Sequence, residues 1–282
     1  MDSLKKAFEI PRKTLSLRII RSTGCSIATK SPALRTVVEY SDMNTIISSA
    51  AYVASKTIAG QGVSAKRSHL SEIIAALLGY CTYAALVVEE ADPKLDYHLE
   101  DAEHIVLNLS MGVTRATALG LGKAGSVIAD ACVEALKVSV IHARVYVGIA
   151  DFYDSHAREA LSEAIYNDDD VANAMAGSNA SFPDEPEMGE PCPSTADLWA
   201  AIDEWTIEAD GCMTGEYDPE GDRMFNGDKL NCHGWLTYLK AGRAGLMFLD
   251  SGGTGGADDS WRDLDREDEW AYFQSLKRDQ LN

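Results

Sequence analysis

Between Arg158 and Arg223 the chain carries 18 acidic side chains and no lysine or arginine. Self-repulsion on that scale opposes compaction, so a fold must turn these carboxylates to solvent, leave the stretch extended, or meet positive charge from outside. The density peaks in "PDEPEMGEP", Pro183 to Pro191, where Asp184, Glu185, Glu187 and Glu190 stand among three prolines. From Asn167 to Thr195 the chain adds "NDDD", "GSNAS" and Pro193. Such a composition buries too little apolar surface to hold itself folded, which predicts an acidic, Pro-rich linker over residues 166–195.

The charge is graded along the chain. Residues 1–35 carry eight bases and two acids, residues 36–165 nine and 16, and residues 166–282 eight and 26, for a net charge of −19. Non-specific attraction to nucleic acid or to an anionic membrane surface is therefore disfavoured, and a basic protein partner is the natural complement. With 282 residues, 46% of them hydrophobic, the chain is long and apolar enough to bury a core. Its six cysteines are scattered, and Cys25, Cys81 and Cys132 sit among small or apolar neighbours, as reduced thiols do in a cytosolic protein. No N-terminal apolar run of signal-peptide length occurs, and no uncharged apolar stretch is long enough to span a bilayer. Residues 1–39 read instead as a basic arm.

Residues 40–165 read as a helical bundle. In "HLSEIIAALLGYCTYAALVVEEA" the residues Ile73, Ile74, Leu77, Leu78, Cys81, Ala84, Ala85 and Val88 recur at helical spacing, and Pro93 follows as a stop. "MNTIISSAAYVASKTIAG" and "LDYHLEDAEHIVLNLSMG" behave alike and end at glycines. "SVIADACVEALK" is helical by spacing. "VSVIHARVYVGIADFY" is rich in β-branched residues with partial alternation, but a helix continues the surrounding pattern better. Residues 196–282 hold all five tryptophans and suggest a smaller helical domain built from "STADLWAAIDEWTIEAD", "GWLTYLKAGRAGLMFLD" and "DDSWRDLDREDEWAYFQSLK", with "SGGTGG" as a flexible joint. The expected fold is all-α. The alternative is an α/β fold in which residues 113–150 form a βαβ unit.

Four constellations bear on chemistry. "GLGKAG" supplies Gly120, Gly122 and Gly125 at the spacing of a dinucleotide loop, with Asp151 beyond a β-like segment. The preceding "GVTRATAL" is too polar for a buried parallel strand, and close helix packing explains the glycines equally well. His98, Asp101, Asp151, Asp154 and His156 could converge from facing helices on a metal, although His98 and His104 of "HLEDAEH" point to different sides of one helix. Cys192, Cys212, Cys232 and His233 offer zinc-type ligands without the close pairing of structural zinc knuckles. "EYDPEGDRMFNGDK" lacks EF-hand spacing and reads as a turn. No cofactor and no metal is expected on balance. These patterns favour a non-enzymatic interaction protein in which Asp184, Glu185, Glu187, Glu190, Asp203 and Glu204 meet a basic partner. One form of such a partner is a nucleic-acid-binding site, filled by carboxylates that imitate phosphates. A metal-dependent helical enzyme and a nucleotide-binding α/β domain are the competing expectations.

Overall fold

The computed structural model describes residues 42–192, 197–222 and 224–260. The basic arm over residues 1–39, and the expected last helix from Trp261 onward, lie outside the described residues. The described residues combine helices with a six-stranded sheet of order β2-β1-β6-β5-β4-β3, so the fold is α/β and the all-α, helical-bundle expectation is overturned. Among them no helix is long and apolar enough to cross a membrane.

The helices α1 (Asp42–Gly60), α2 (Arg67–Leu77), α3 (Tyr83–Glu90), α4 (Leu109–Ala118) and α5 (Gly125–Ser139) surround one apolar core. In α1 the residues Ile47, Ala50, Ala51, Ala54 and Ile58 form a continuous buried stripe, and Ile128, Ala129, Cys132, Val133 and Leu136 do the same in α5. The helix expected over residues 69–91 breaks into α2 and α3. Gly79 takes φ +86°, a left-handed conformation that ends the helix, and Thr82 starts α3 by accepting from Ala85 N at 3.0 Å. Ile73, Ile74, Leu77 and Leu78 are buried as the spacing implies. Cys81 and Val88, beyond the break, are exposed.

The segments read as uninterrupted helix around residues 95–112 and 138–152 each contain a three-residue strand. These are β1 (His104–Val106) and β2 (Arg144–Tyr146), which pair in parallel across the α4–α5 crossover. A parallel unit thus exists, but over residues 104–146 rather than 113–150. β1 also divides two cores: Ile105 joins the helical cluster, whereas Val106 joins a second cluster with the sheet.

After α6 (Ile149–Phe152) come one π-helical turn (Tyr153–Ala157), α7 (Arg158–Tyr166) and α8 (Asp169–Ser178). These elements cover one face of the antiparallel strands β4 (Glu204–Thr214), β5 (Lys229–Ala241) and β6 (Gly245–Ala257), with Phe152, Leu161, Ile165 and Val171 packing onto Ile207, Ala209, Leu236 and Tyr238. The first two of the expected Trp-rich helices, residues 194–210 and 234–250, contribute residues 204–210 and nearly all of 234–250 to these strands. "SGGTGG" lies in β6, where Gly253 and Gly255 let the helices approach: an added Cβ would sit 2.8 Å from Ile165 Cα at Gly253 and 3.3 Å from Val171 Cα at Gly255.

The segment read as a linker carries α8 and β3 (Glu187–Pro191). β3 pairs antiparallel with β4 as the edge strand, the position in a sheet where proline is tolerated because an outward N–H has no ladder partner to lose. Side chains from the π turn and α7 hold its backbone: the Tyr153 hydroxyl donates to Gly189 O at 2.5 Å, Ser162 Oγ to Pro186 O at 3.0 Å and Arg158 Nη1 to Met188 O at 3.3 Å. Pro186 and Met188 are buried beneath, so this acidic stretch is anchored by two apolar side chains and three carbonyls while its four carboxylates stay exposed.

Candidate functional site

Strand β4 reads Glu204-Trp-Thr-Ile-Glu-Ala-Asp-Gly-Cys-Met-Thr214, and its buried positions alternate strictly with its outward ones. Trp205, Ile207, Ala209 and Met213 face the helices. Glu204, Thr206, Glu208, Asp210 and Cys212 face the other way. The register with β5 sets Leu239, Thr237, Trp235, His233 and Asn231 opposite those five, in that order, and β3 adds Glu187 opposite Cys212. Thr206 and Thr237 meet through their hydroxyls at 3.1 Å. Trp235 lies across Gly252 of β6, where any Cβ would collide with the indole. The outer face is therefore a row of carboxylates beside a half-buried tryptophan.

Of the six acids expected to form a partner surface, Glu187 and Glu204 project from this face and Asp203 stands at its end, just before β4. Glu185 and Glu190 lean the other way. Glu185 Oε2 accepts from Ser162 Oγ at 3.4 Å, and Glu190 Oε1 is 4.0 Å from Arg158. Asp184 is exposed in the approach to β3. The set is thus split over the two sides of one sheet edge. Glu208 and Asp210 complete the outer row and were not singled out, although the alternation from 204 to 214 displays them.

Three groups converge at the centre of this face. His233 Nδ1 lies 2.9 Å from Asp210 Oδ1, His233 Nε2 lies 4.0 Å from Glu208 Oε2, and Cys192 Sγ approaches Asp210 Oδ2 at 3.9 Å. Cys192 follows β3 directly and is held by its backbone N–H to Glu208 O at 2.7 Å. Burial raises its thiol pKa, and the Asp210 and Glu208 charges add to the effect. One ligand atom each from Cys192, Asp210 and His233 lies within 4.8 Å of the others. The four-residue zinc set does not assemble, because Cys232 is buried on the opposite face and Cys212, although on the outer face, is not among the residues whose ligand atoms meet.

The other expected constellations are dispersed. Asp101 Oδ2 accepts from His98 N at 2.9 Å, Asp151 Oδ2 from Val147 N at 2.7 Å, and Asp154 pairs with Arg158 at 2.7 Å, so these acids serve local turns and an ion pair. His98 faces Glu90 at 3.7 Å, and His156 lies elsewhere. Gly120 and Gly122 have φ of +77° and +52° in the turn from α4 to α5, so the glycine loop joins two helices instead of following a strand.

His104 and His156 form an aromatic cluster unseen in the sequence. Their rings stack with centroids 4.2 Å apart, His104 Nδ1 is 3.2 Å from the Tyr146 hydroxyl, and His156 Nε2 is 3.4 Å from that of Tyr238. Burial pushes His104 down to about 4, with His156 and Arg144 acting in the same sense, and burial also lowers His156. Both rings are accordingly neutral near pH 7 and pack as core against Phe152. Lys240 is similarly interior: burial lowers it to about 7, and its Nζ donates to Arg243 O at 2.7 Å.

No protein-family model, no curated protein and no solved structure matches this chain.

Proposed function

We propose that the protein is a non-enzymatic binding module whose outer sheet face receives arginine side chains of a basic partner. The observation that carries this reading is the alternation that points Glu204, Glu208 and Asp210 from one face of β4, with Trp235 directly across from Glu208. Alternate residues on a strand are about 6.7 Å apart and neighbouring strands about 4.8 Å apart. That spacing suits a planar guanidinium, which bonds carboxylates in a fork and stacks on an indole, better than a compact ammonium. Glu187 extends the row at the edge strand, while Asp184 and Asp203 raise the local negative potential. A nucleic-acid-binding surface, rich in arginine, is one partner of this chemistry.

The test is the affinity of an arginine-rich peptide, followed by tryptophan fluorescence and titration calorimetry, against a lysine peptide of equal charge. The arginine peptide should bind more tightly and weaken with added salt. Glu204→Gln with Glu208→Gln should weaken both peptides, and Trp235→Ala should erase the preference for arginine. Equal affinities for the two peptides, insensitive to salt and to these substitutions, would refute the reading.

A further inference from the structure

The trio at the centre of the outer face contains three different ligand types, brought from three adjacent strands. Cys192 follows β3, Asp210 lies on β4 and His233 lies directly opposite it on β5. Their positions are fixed by the ladder, since Asp210 and His233 are cross-strand partners and Cys192 N is bonded to Glu208 O. The side chains alone need to adjust. In a tetrahedral zinc site with Zn–N and Zn–O near 2.0 Å and Zn–S near 2.3 Å, ligand atoms are about 3.3–3.6 Å apart. His233 Nδ1 is 2.9 Å from Asp210 Oδ1, Cys192 Sγ is 3.9 Å from Asp210 Oδ2, and one ligand atom from each of the three lies within 4.8 Å of the others, so side-chain rotation suffices to reach that separation.

We propose that Cys192, Asp210 and His233 form a zinc-binding site, with His233 coordinating through Nδ1. A mixed set of thiolate, imidazole and carboxylate selects zinc over magnesium or calcium, which take oxygen ligands. With Nδ1 on the metal, Nε2 of His233 is left free to donate to Glu208, whose Oε2 lies 4.0 Å away and needs only a small side-chain movement to reach it. This is the carboxylate–histidine–metal arrangement that fixes ring orientation and raises ligand basicity. Three protein ligands leave the fourth position to water or to a partner's side chain, as in zinc sites that exchange a ligand. The proposal shares Asp210 and Glu208 with the arginine-binding row but needs neither Glu204 nor Trp235, so the two are tested separately.

The experiment loads the full chain, reduced and stripped of metal by chelator, with Zn2+ and separately with Co2+. One equivalent of zinc should be retained after desalting, and cobalt should produce a thiolate-to-metal charge-transfer band together with the visible bands of tetrahedral Co2+. Cys192→Ser should abolish the charge-transfer band, His233→Ala and Asp210→Asn should abolish tight binding, and Glu208→Gln should lower affinity about 10- to 100-fold. Cys212→Ser, a change at an exposed thiol on the same face, should change nothing. All five positions are at least partly exposed, so circular dichroism should report intact folds for every variant. Absence of bound zinc at micromolar concentration, or equal binding by Cys192→Ser and the parent, overturns the site. Repeating the peptide titrations in chelator separates its failure from that of arginine binding.

Discussion

Replacing Gly253 by alanine tests the packing of α7 and α8 against the sheet. Gly253 is buried on the helix-facing side of β6, and a Cβ there would stand 2.8 Å from Ile165 Cα, 3.1 Å from Ile165 Cγ1 and 3.3 Å from Ile165 Cβ. The nearest atom belongs to helix backbone, so relief requires α7 to move away from the strand rather than a rotamer to turn. Overpacking of this kind costs about 1–3 kcal/mol. Against it stands a gain of roughly 0.5–1 kcal/mol for replacing glycine within a strand. Gly256, three residues further along β6, has nothing within 4 Å of its would-be Cβ and serves as the internal control. Gly256→Ala should hold or raise the melting temperature. Gly253→Ala should lower it by several degrees, since 1 kcal/mol moves a chain of this size by about 2–4 °C. Thermal unfolding followed by circular dichroism resolves that difference. If Gly253→Ala melted with or above Gly256→Ala, the glycines would not be there to admit the helix, and the description of β6 as a closely covered strand would be wrong.

Two further substitutions probe the cores. Leu77→Asp places an uncompensated charge at a position with no solvent exposure, a penalty of several kcal/mol that should unfold the helical layer, whereas Val88→Asp, at a residue 71% exposed, should leave the melting temperature within experimental error. Equal melting of the two variants would contradict the break at Gly79. His104 titrates near 6.5 when unfolded and at about 4 when folded, so below 6.5 the unfolded chain binds the extra proton and stability falls as pH drops from about 6.5 toward 4. Denaturant midpoints measured across that window should decline more steeply for the parent than for His104→Gln, and parallel profiles would show that the ring is not held neutral.

The helices α1, α2 and α5 were legible in the sequence because their buried residues recur at 3.6-residue spacing over three or more turns, a signal set by helix geometry alone. The exposure of the acids was legible too, since so many like charges have no interior solution. The strand β4 was written just as plainly, with apolar residues at 205, 207, 209 and 213 and polar ones between. It was obscured because Leu198, Trp205 and their neighbours also fit a helical stripe when Asp197 to Asp210 is taken as one unit. β1 left no such trace and β2 only the partial alternation around residues 138–153: three residues show no period, and pairing of β1 with β6 and of β2 with β1 makes them strands. Nor could β6 be found from its own pattern, because a run of glycines carries no face until α7 and α8 lie on it. The approach of Cys192, Asp210 and His233 depends on tertiary structure more than any of these. Residues 18 and 23 positions apart meet because the buried faces of β4 and β5 choose the register, and a slip of one residue would turn all the outward side chains into the core.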